Sequence, residues 1–256
     1  MALTRFIILS LVAVLTFTGA ASARAFDFSL WDDILKDHVS QTSKDGVELA
    51  GFDYDALSGD KRFNQIVSKL HDYQPAFTNV KENISFWSNV YNIFAAKMVI
   101  ANRGVKSIRD AGSFFSSVWV KDAGAIGGKT YSLDDIEHKI LRPLGDPRIH
   151  AAIVCASVSC PDIRREAYDQ ERLDIQLDQQ WRGFLDNRSK GFRIDRKNKK
   201  IYLSKIFKWF HEDFDAKGGV RTFIASYKSP DTGAFIKNKE NEILYMDYNW
   251  ALNSVK

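Results

Sequence analysis

The chain holds two cysteines, Cys155 and Cys160, and one of its five histidines, His150, lies just upstream of them. Four arrangements fit this stretch. The cysteines can form a disulfide, which an even cysteine count and an oxidising compartment allow. They can be reduced thiols packed in a core. One of them can be a nucleophile with His150 as its base. A metal site is the fourth, although the spacing is unlike a zinc pattern and only three suitable ligands are local. Thiol catalysis needs a thiolate near neutral pH and a base oriented by a third group. Glu137 is the candidate orienter, beside His138; the plain alternative is an ordinary surface pair. Asn92 lies in an apolar stretch and is the candidate orienting or oxyanion-binding group. Its plain alternative is a buried amide tied to backbone.

The compartment decides among these arrangements. Arg5 precedes an apolar run over residues 6–17, and small residues follow, ending in Ala23-Arg24-Ala25. The run is short for a bilayer span and has the length of a signal-peptide core. Residues 1–25 therefore read as a signal peptide cleaved before Phe26, with Ala21-Ser22-Ala23 as the competing site. The protein is expected to be exported, periplasmic or secreted, with no membrane span after cleavage. Loss of Arg5 and Arg24 lowers the formal charge of +4 by two. That near balance, together with export, argues against a nucleic-acid partner.

The remaining residues, 26–256, read as one globular domain. They carry no Pro/Gly/Ser-rich linker, repeat or low-complexity tract, and 45% of the whole chain is hydrophobic. Helical spacing marks residues 30–39, 61–73, 172–185, 206–214 and 220–227. The strongest element is residues 82–101, where two apolar stripes leave Asn89 and Asn92 facing burial. Ser132 with Asp135 three residues on predicts a capped helix that stops before Pro143. Residues 114–120 and 149–155 read as extended, the latter as a buried strand. A hairpin is expected over 192–203 and a last strand over 243–248. Arg193, Arg196, Lys197, Lys199 and Lys200 cluster at the hairpin turn, as a solvated edge or a docking patch for anionic envelope polymers. The order of elements gives a helix-rich α+β domain around a small, mostly antiparallel sheet.

Several segments together resemble the domain of unknown function 547 family. They are Phe86-Trp87-Ser88-Asn89-Val90-Tyr91-Asn92; residues 132–138 with Leu141-Arg142; Asp146-Pro147-Arg148-Ile149-His150 through Ser159-Cys160-Pro161; residues 202–207; and residues 248–253. Asn249 stands where that family commonly has aspartate. The resemblance implies no established activity. Some relatives carry a glutaredoxin-like module, an association with thiol chemistry. A buried helix followed by a histidine-bearing strand is also similar to papain- or transglutaminase-type thiol enzymes. In those enzymes the nucleophile opens the helix, whereas here the helix carries Ser88, Asn89 and Asn92 and no cysteine.

The expected function is a thiol-dependent hydrolase or transferase acting on an envelope amide or peptide. His150 would be its base, Cys155 or Cys160 its nucleophile, Asn92 its oxyanion group and Glu137 its orienter. The alternatives are a non-catalytic envelope binding domain with a Cys155–Cys160 disulfide, and a thiol–disulfide partner. No cofactor or metal is expected, and the partner would be a ligand or protein of the envelope.

Overall fold

The structure is a computed structural model and describes residues 25–112 and 117–255. Residues 1–24, which hold nearly all of the expected signal peptide, lie outside the described residues. So do residues 113–116 of the segment expected to be extended; Val118–Val120, beyond them, forms a 3-10 turn.

The architecture is α+β. Helix α1 (Ser29–His38) leads into the hairpin β1 (Val39–Lys44) and β2 (Val47–Phe52). Helices α2 (Tyr54–Gly59) and α3 (Lys61–Asp72) follow, and then the long α4 (Val80–Ala101). Most of α4 is buried because it is apolar nearly all round, as its two stripes predict. A second hairpin, β3 (Asp122–Ile126) and β4 (Lys129–Ser132), turns on Gly127 and Gly128, both at positive φ. Asp135–Leu141 is a π-helix, and α5 (Ile149–Ala152) is a single turn. Next come α6 (Leu173–Asp186) and the hairpin β5 (Phe192–Asp195) and β6 (Lys200–Leu203). The chain then forms α7 (Ile206–Trp209), α8 (His211–Asp215), α9 (Val220–Ser226), α10 (Pro230–Lys237) and β7 (Glu242–Tyr245).

Three of these features differ from the sequence expectation. Among the described residues there is no one central sheet: the strands form two separate hairpins and a three-stranded sheet in which β7 pairs with β6 in parallel. Residues 206–214 break into two helices at Phe210. His150 sits on α5, not on a strand, so the histidine-bearing strand of thiol proteases is absent here. The basic turn is partly neutralised. Arg196 pairs with Asp231, Lys199 approaches Glu240, and the Arg193 guanidinium lies over the Tyr202 ring.

The larger core surrounds α4 and includes Trp31, Phe52, Trp87, Tyr91 and Phe94. A second core packs Trp181, Phe184, Phe207, Phe214 and Ile201 between α6, the three-stranded sheet and α7–α9. Residues 150–161 run along the seam between them. Ala151 belongs to the second core and Ala152, Ile153 and Cys160 to the first.

Candidate functional site

Two buried amides of α4 set the path of this seam. Asn92 Nδ2 donates to the Ala152 carbonyl at 2.9 Å, and Val154 N–H donates to Asn92 Oδ1 at 2.8 Å. Asn89 grips the backbone of Tyr168 in the same two-bond manner. Each side chain satisfies backbone groups that a neighbouring strand would otherwise have paired. Asn92 is therefore an anchor beneath the cleft and not an oxyanion-binding group on its wall. Asn92→Ala should cost about 1–3 kcal/mol, because it strands a buried N–H and a buried C=O. Urea unfolding checks this, and a cost under 0.5 kcal/mol would contradict it.

Beyond Val154 the chain reaches Cys155, turns at Ala156, whose φ is 56°, and returns at Cys160. The two cysteines form a disulfide with a Cα–Cα distance of 6.4 Å, inside the range that bridging requires. The geometry thus selects the disulfide from the four arrangements. The far side of the loop is fixed by Lys190, whose buried ammonium lies 2.6 Å from Asp162 Oδ1, an atom that also accepts the Ala50 N–H.

The disulfide lines a cleft of about 360 Å³ with Tyr91, Glu137, His150, Trp119, Trp209, Phe210, Tyr248 and Trp250. Four of the five residues picked from sequence, Glu137, His150, Cys155 and Cys160, meet on its walls. One side is an aromatic shelf. Tyr248 packs 4.5 Å from Trp250 and 4.8 Å from Trp209, ring centre to ring centre, and Trp209 is 43% exposed. Tyr248 also joins the shelf to the sulfurs. Its hydroxyl donates to Cys160 Sγ at 3.2 Å and accepts from Ser157 Oγ at 3.2 Å.

Glu137 occupies the opposite wall. Ser132 and Asp135 close the capping box expected from sequence, and the helix then widens into the π form, a geometry often found at functional sites. Tyr91 donates a long 3.4 Å hydrogen bond to Glu137 Oε2. Burial raises the Glu137 carboxyl to about 7, against the opposing pull of Arg142 and the Tyr91 bond.

His150 lies deeper than expected, with its side chain 1% exposed. Its ring stacks on Phe210 at 4.0 Å, and Nε2 is 2.7 Å from Asp213 Oδ2. Arg142 clamps the same carboxylate, through Nε at 2.7 Å and Nη2 at 3.0 Å. Burial alone would raise Asp213, but the bonds from His150 and Arg142 outweigh it and hold the carboxyl well below the usual range. Burial lowers the His150 pKa, with Asp213 opposing. Burial thus favours the neutral imidazole, with Nε2 facing the Asp213 carboxylate and Nδ1 without a partner among the described residues. The orienting acid expected of Glu137 is in fact Asp213. Sequence reasoning missed it because it lies 63 residues beyond His150 on a helix whose only local signal is its aromatic neighbours. Neither sulfur has an imidazole partner among the described hydrogen bonds.

The site therefore defines an α+β protein with an acid-bearing, disulfide-lined aromatic cleft. The sequence model of the family described as "Protein of unknown function, DUF547" matches residues 75–185, a match that supports membership of that family. The matched stretch carries Asn92, Glu137, His150 and both cysteines, while Asp213 and the aromatic shelf from Trp209 to Trp250 lie beyond it. No curated protein and no solved structure matches the chain. Among the described residues no helix is long and apolar enough to cross a membrane, and no group of three or more His, Cys, Asp or Glu residues could hold a metal ion.

Proposed function

We propose that the chain is an exported hydrolase or transferase acting on an amide or peptide of the cell envelope, with Glu137 as its acid–base group. The observation that carries this reading is the Glu137 carboxyl, raised to about 7 on the wall of an aromatic cleft. A proton-carrying group poised near the working pH beside a concave apolar surface is the usual mark of a reacting centre. In its protonated form Glu137 would give a proton to a leaving amine; in its ionised form it would take one from water or an acceptor alcohol. The aromatic shelf would hold the flat or apolar part of the ligand. His150 is better suited to fixing the cleft than to acting as a base, since Asp213 holds one nitrogen and Phe210 covers the ring. The oxidised cysteines take the thiol nucleophile out of the mechanism.

The test is turnover of peptide and N-acyl amide substrates with aromatic side chains, measured from pH 5 to 9 on the native chain and on Glu137→Gln. A second reading, a non-catalytic envelope binding domain, is favoured by the structural roles of Asn92, His150 and the disulfide. Ligand binding without turnover, unaffected by Glu137→Gln, would select it. Export is tested separately. Amino-terminal sequencing of envelope material should begin at Phe26, and an intact Met1 on membrane-bound protein would overturn it.

A further inference from the structure

The disulfide is built asymmetrically. Cys155 is partly exposed, whereas Cys160 is 3% exposed. Cys160 Sγ accepts from the Cys155 backbone N–H at 3.1 Å and from the Tyr248 hydroxyl at 3.2 Å, whereas Cys155 Sγ has hydroxyl neighbours alone, Ser157 Oγ at 3.2 Å and Tyr248 at 3.4 Å. The Tyr248 hydroxyl in turn accepts from Ser157, which leaves its own proton for the disulfide, where Cys160 Sγ is the nearer sulfur. A purely structural disulfide needs neither a place on a cleft wall nor a backbone donor aimed at its buried sulfur. Such donors favour negative charge on sulfur, and a more stable leaving thiolate departs faster.

We propose that Cys155–Cys160 is a thiol–disulfide exchange centre that oxidises dithiols of polypeptide partners, with Cys155 as the attacked sulfur and Cys160 as the leaving thiolate. The first partner thiolate attacks Cys155 Sγ. A bond forms between those two sulfurs, the Cys155–Cys160 bond breaks, and its electron pair goes to Cys160 Sγ, where the two donors receive it. The partner's second thiolate then attacks its own sulfur in the mixed disulfide and releases Cys155 as a thiolate. The partner leaves as a disulfide and the chain as a dithiol. Two electrons have passed to the chain, and the two protons given up by the partner's thiols end on Cys155 and Cys160. A peptide partner is favoured over a small thiol because the aromatic shelf runs directly from Tyr248 at the sulfurs to the exposed Trp209, a surface suited to apolar side chains flanking a cysteine.

This activity is independent of the acid–base reading, and the experiment separates the two. The oxidised, full native chain is mixed with a reduced synthetic peptide carrying two cysteines and a neighbouring aromatic residue, with reduced glutathione as the small-thiol comparison. Mass spectrometry should show the peptide disulfide appearing as two alkylatable thiols appear on the chain, at least tenfold faster than with glutathione at equal thiol concentration. Cys160→Ser should form a mixed disulfide with a 2-thiopyridyl-activated peptide at Cys155. Cys155→Ser should react at Cys160 at least tenfold more slowly. A native disulfide that stays closed against the peptide overturns the proposal without needing any variant. Equal reactivity of the two single cysteines overturns the assignment of roles, and a rate no faster than with glutathione overturns the peptide partner. Glu137→Gln should leave the peptide in possession of its disulfide product even where amide turnover is lost.

Discussion

Asp213→Ala should lower the free energy of unfolding by about 3 kcal/mol at pH 7, the lower end of what breaking a buried ion pair costs. Asp213 is the common acceptor of His150 Nε2 and of two Arg142 nitrogens. Without it the imidazole is buried with neither nitrogen paired among the described residues, and Arg142, which is only partly exposed, loses its two carboxylate bonds and keeps the 3.0 Å contact with His138 Nδ1 and the Glu212 carboxylate at 4.0 Å. The partial exposure of Arg142 and Asp213 is the reason for choosing the lower end. The pH dependence has a definite sign. The Asp213 pKa is depressed in the fold, so its contribution is complete above the unfolded carboxylate pKa and is lost as pH falls through the folded value. The gap between native chain and variant should therefore be full at pH 7 and begin to close below about pH 4. His150→Ala should also cost about 2–4 kcal/mol through the cavity left against Phe210 and Phe214, where an exposed base would cost little. Urea melts of both variants decide the matter, and losses below 1 kcal/mol would show that the clamp is not structural.

Glu137→Gln should act in opposite directions on activity and stability. As acid–base group, Glu137 contributes about 10²–10⁴ in rate, and the amide cannot replace it. Activity that depends on the protonated acid should fall as pH rises through about 7 in the native chain, and this inflection should vanish in the variant. Stability should move the other way. The folded carboxyl holds its proton up to about 7, while the unfolded one releases it near its model value of 4.5. Between those values the folded state binds more protons, so the native chain loses stability as pH rises. At pH 8 the variant should be more stable by about 1–3 kcal/mol, and at pH 4 the two should coincide. Melts at the two pH values, beside the rate profile, check this. A variant that is equally stable relative to the native chain at both would place Glu137 in solvent.

The legibility of the molecule varied with the range of the interaction concerned. Helix α4 was readable because its periodicity extends over six turns, and the Ser132–Asp135 cap because both partners are local. The hairpin β5–β6 announced itself through its polar turn. The run 149–155 was misread because a short apolar run fits a strand and a buried helical turn alike. What decides it is the pair of Asn92 bonds to Ala152 and Val154, 60 and 62 residues away. Helix α10 was overlooked although Ser229 caps it and Pro230 opens it, both recognisable start signals. Within the site, the cysteine pairing was one of four arrangements that the cysteine count and the expected export left open, and the 6.4 Å Cα–Cα distance selects it. The role of Asp213, the depth of His150 and the aromatic shelf come from tertiary packing, to which no local pattern points.

The segment from Tyr248 to Val255 is threaded back through the whole fold. Asn253 C=O accepts the Phe52 N–H, Asn253 N–H reaches the Ala156 carbonyl, Ala251 C=O accepts the Val158 N–H, and Leu252 N–H reaches Lys106. Tyr248 and Trp250, at its head, complete the cleft. Synthesis proceeds from the amino end, so Glu137, His150 and both cysteines exist as chain well before this clasp does. Until the clasp docks, residues 155–160 have no tyrosine against them and the aromatic wall is unfinished. The cleft thus behaves as a keystone structure: its wall is complete only once residues 248–255 have docked against segments as far apart in sequence as Phe52, Lys106 and Val158.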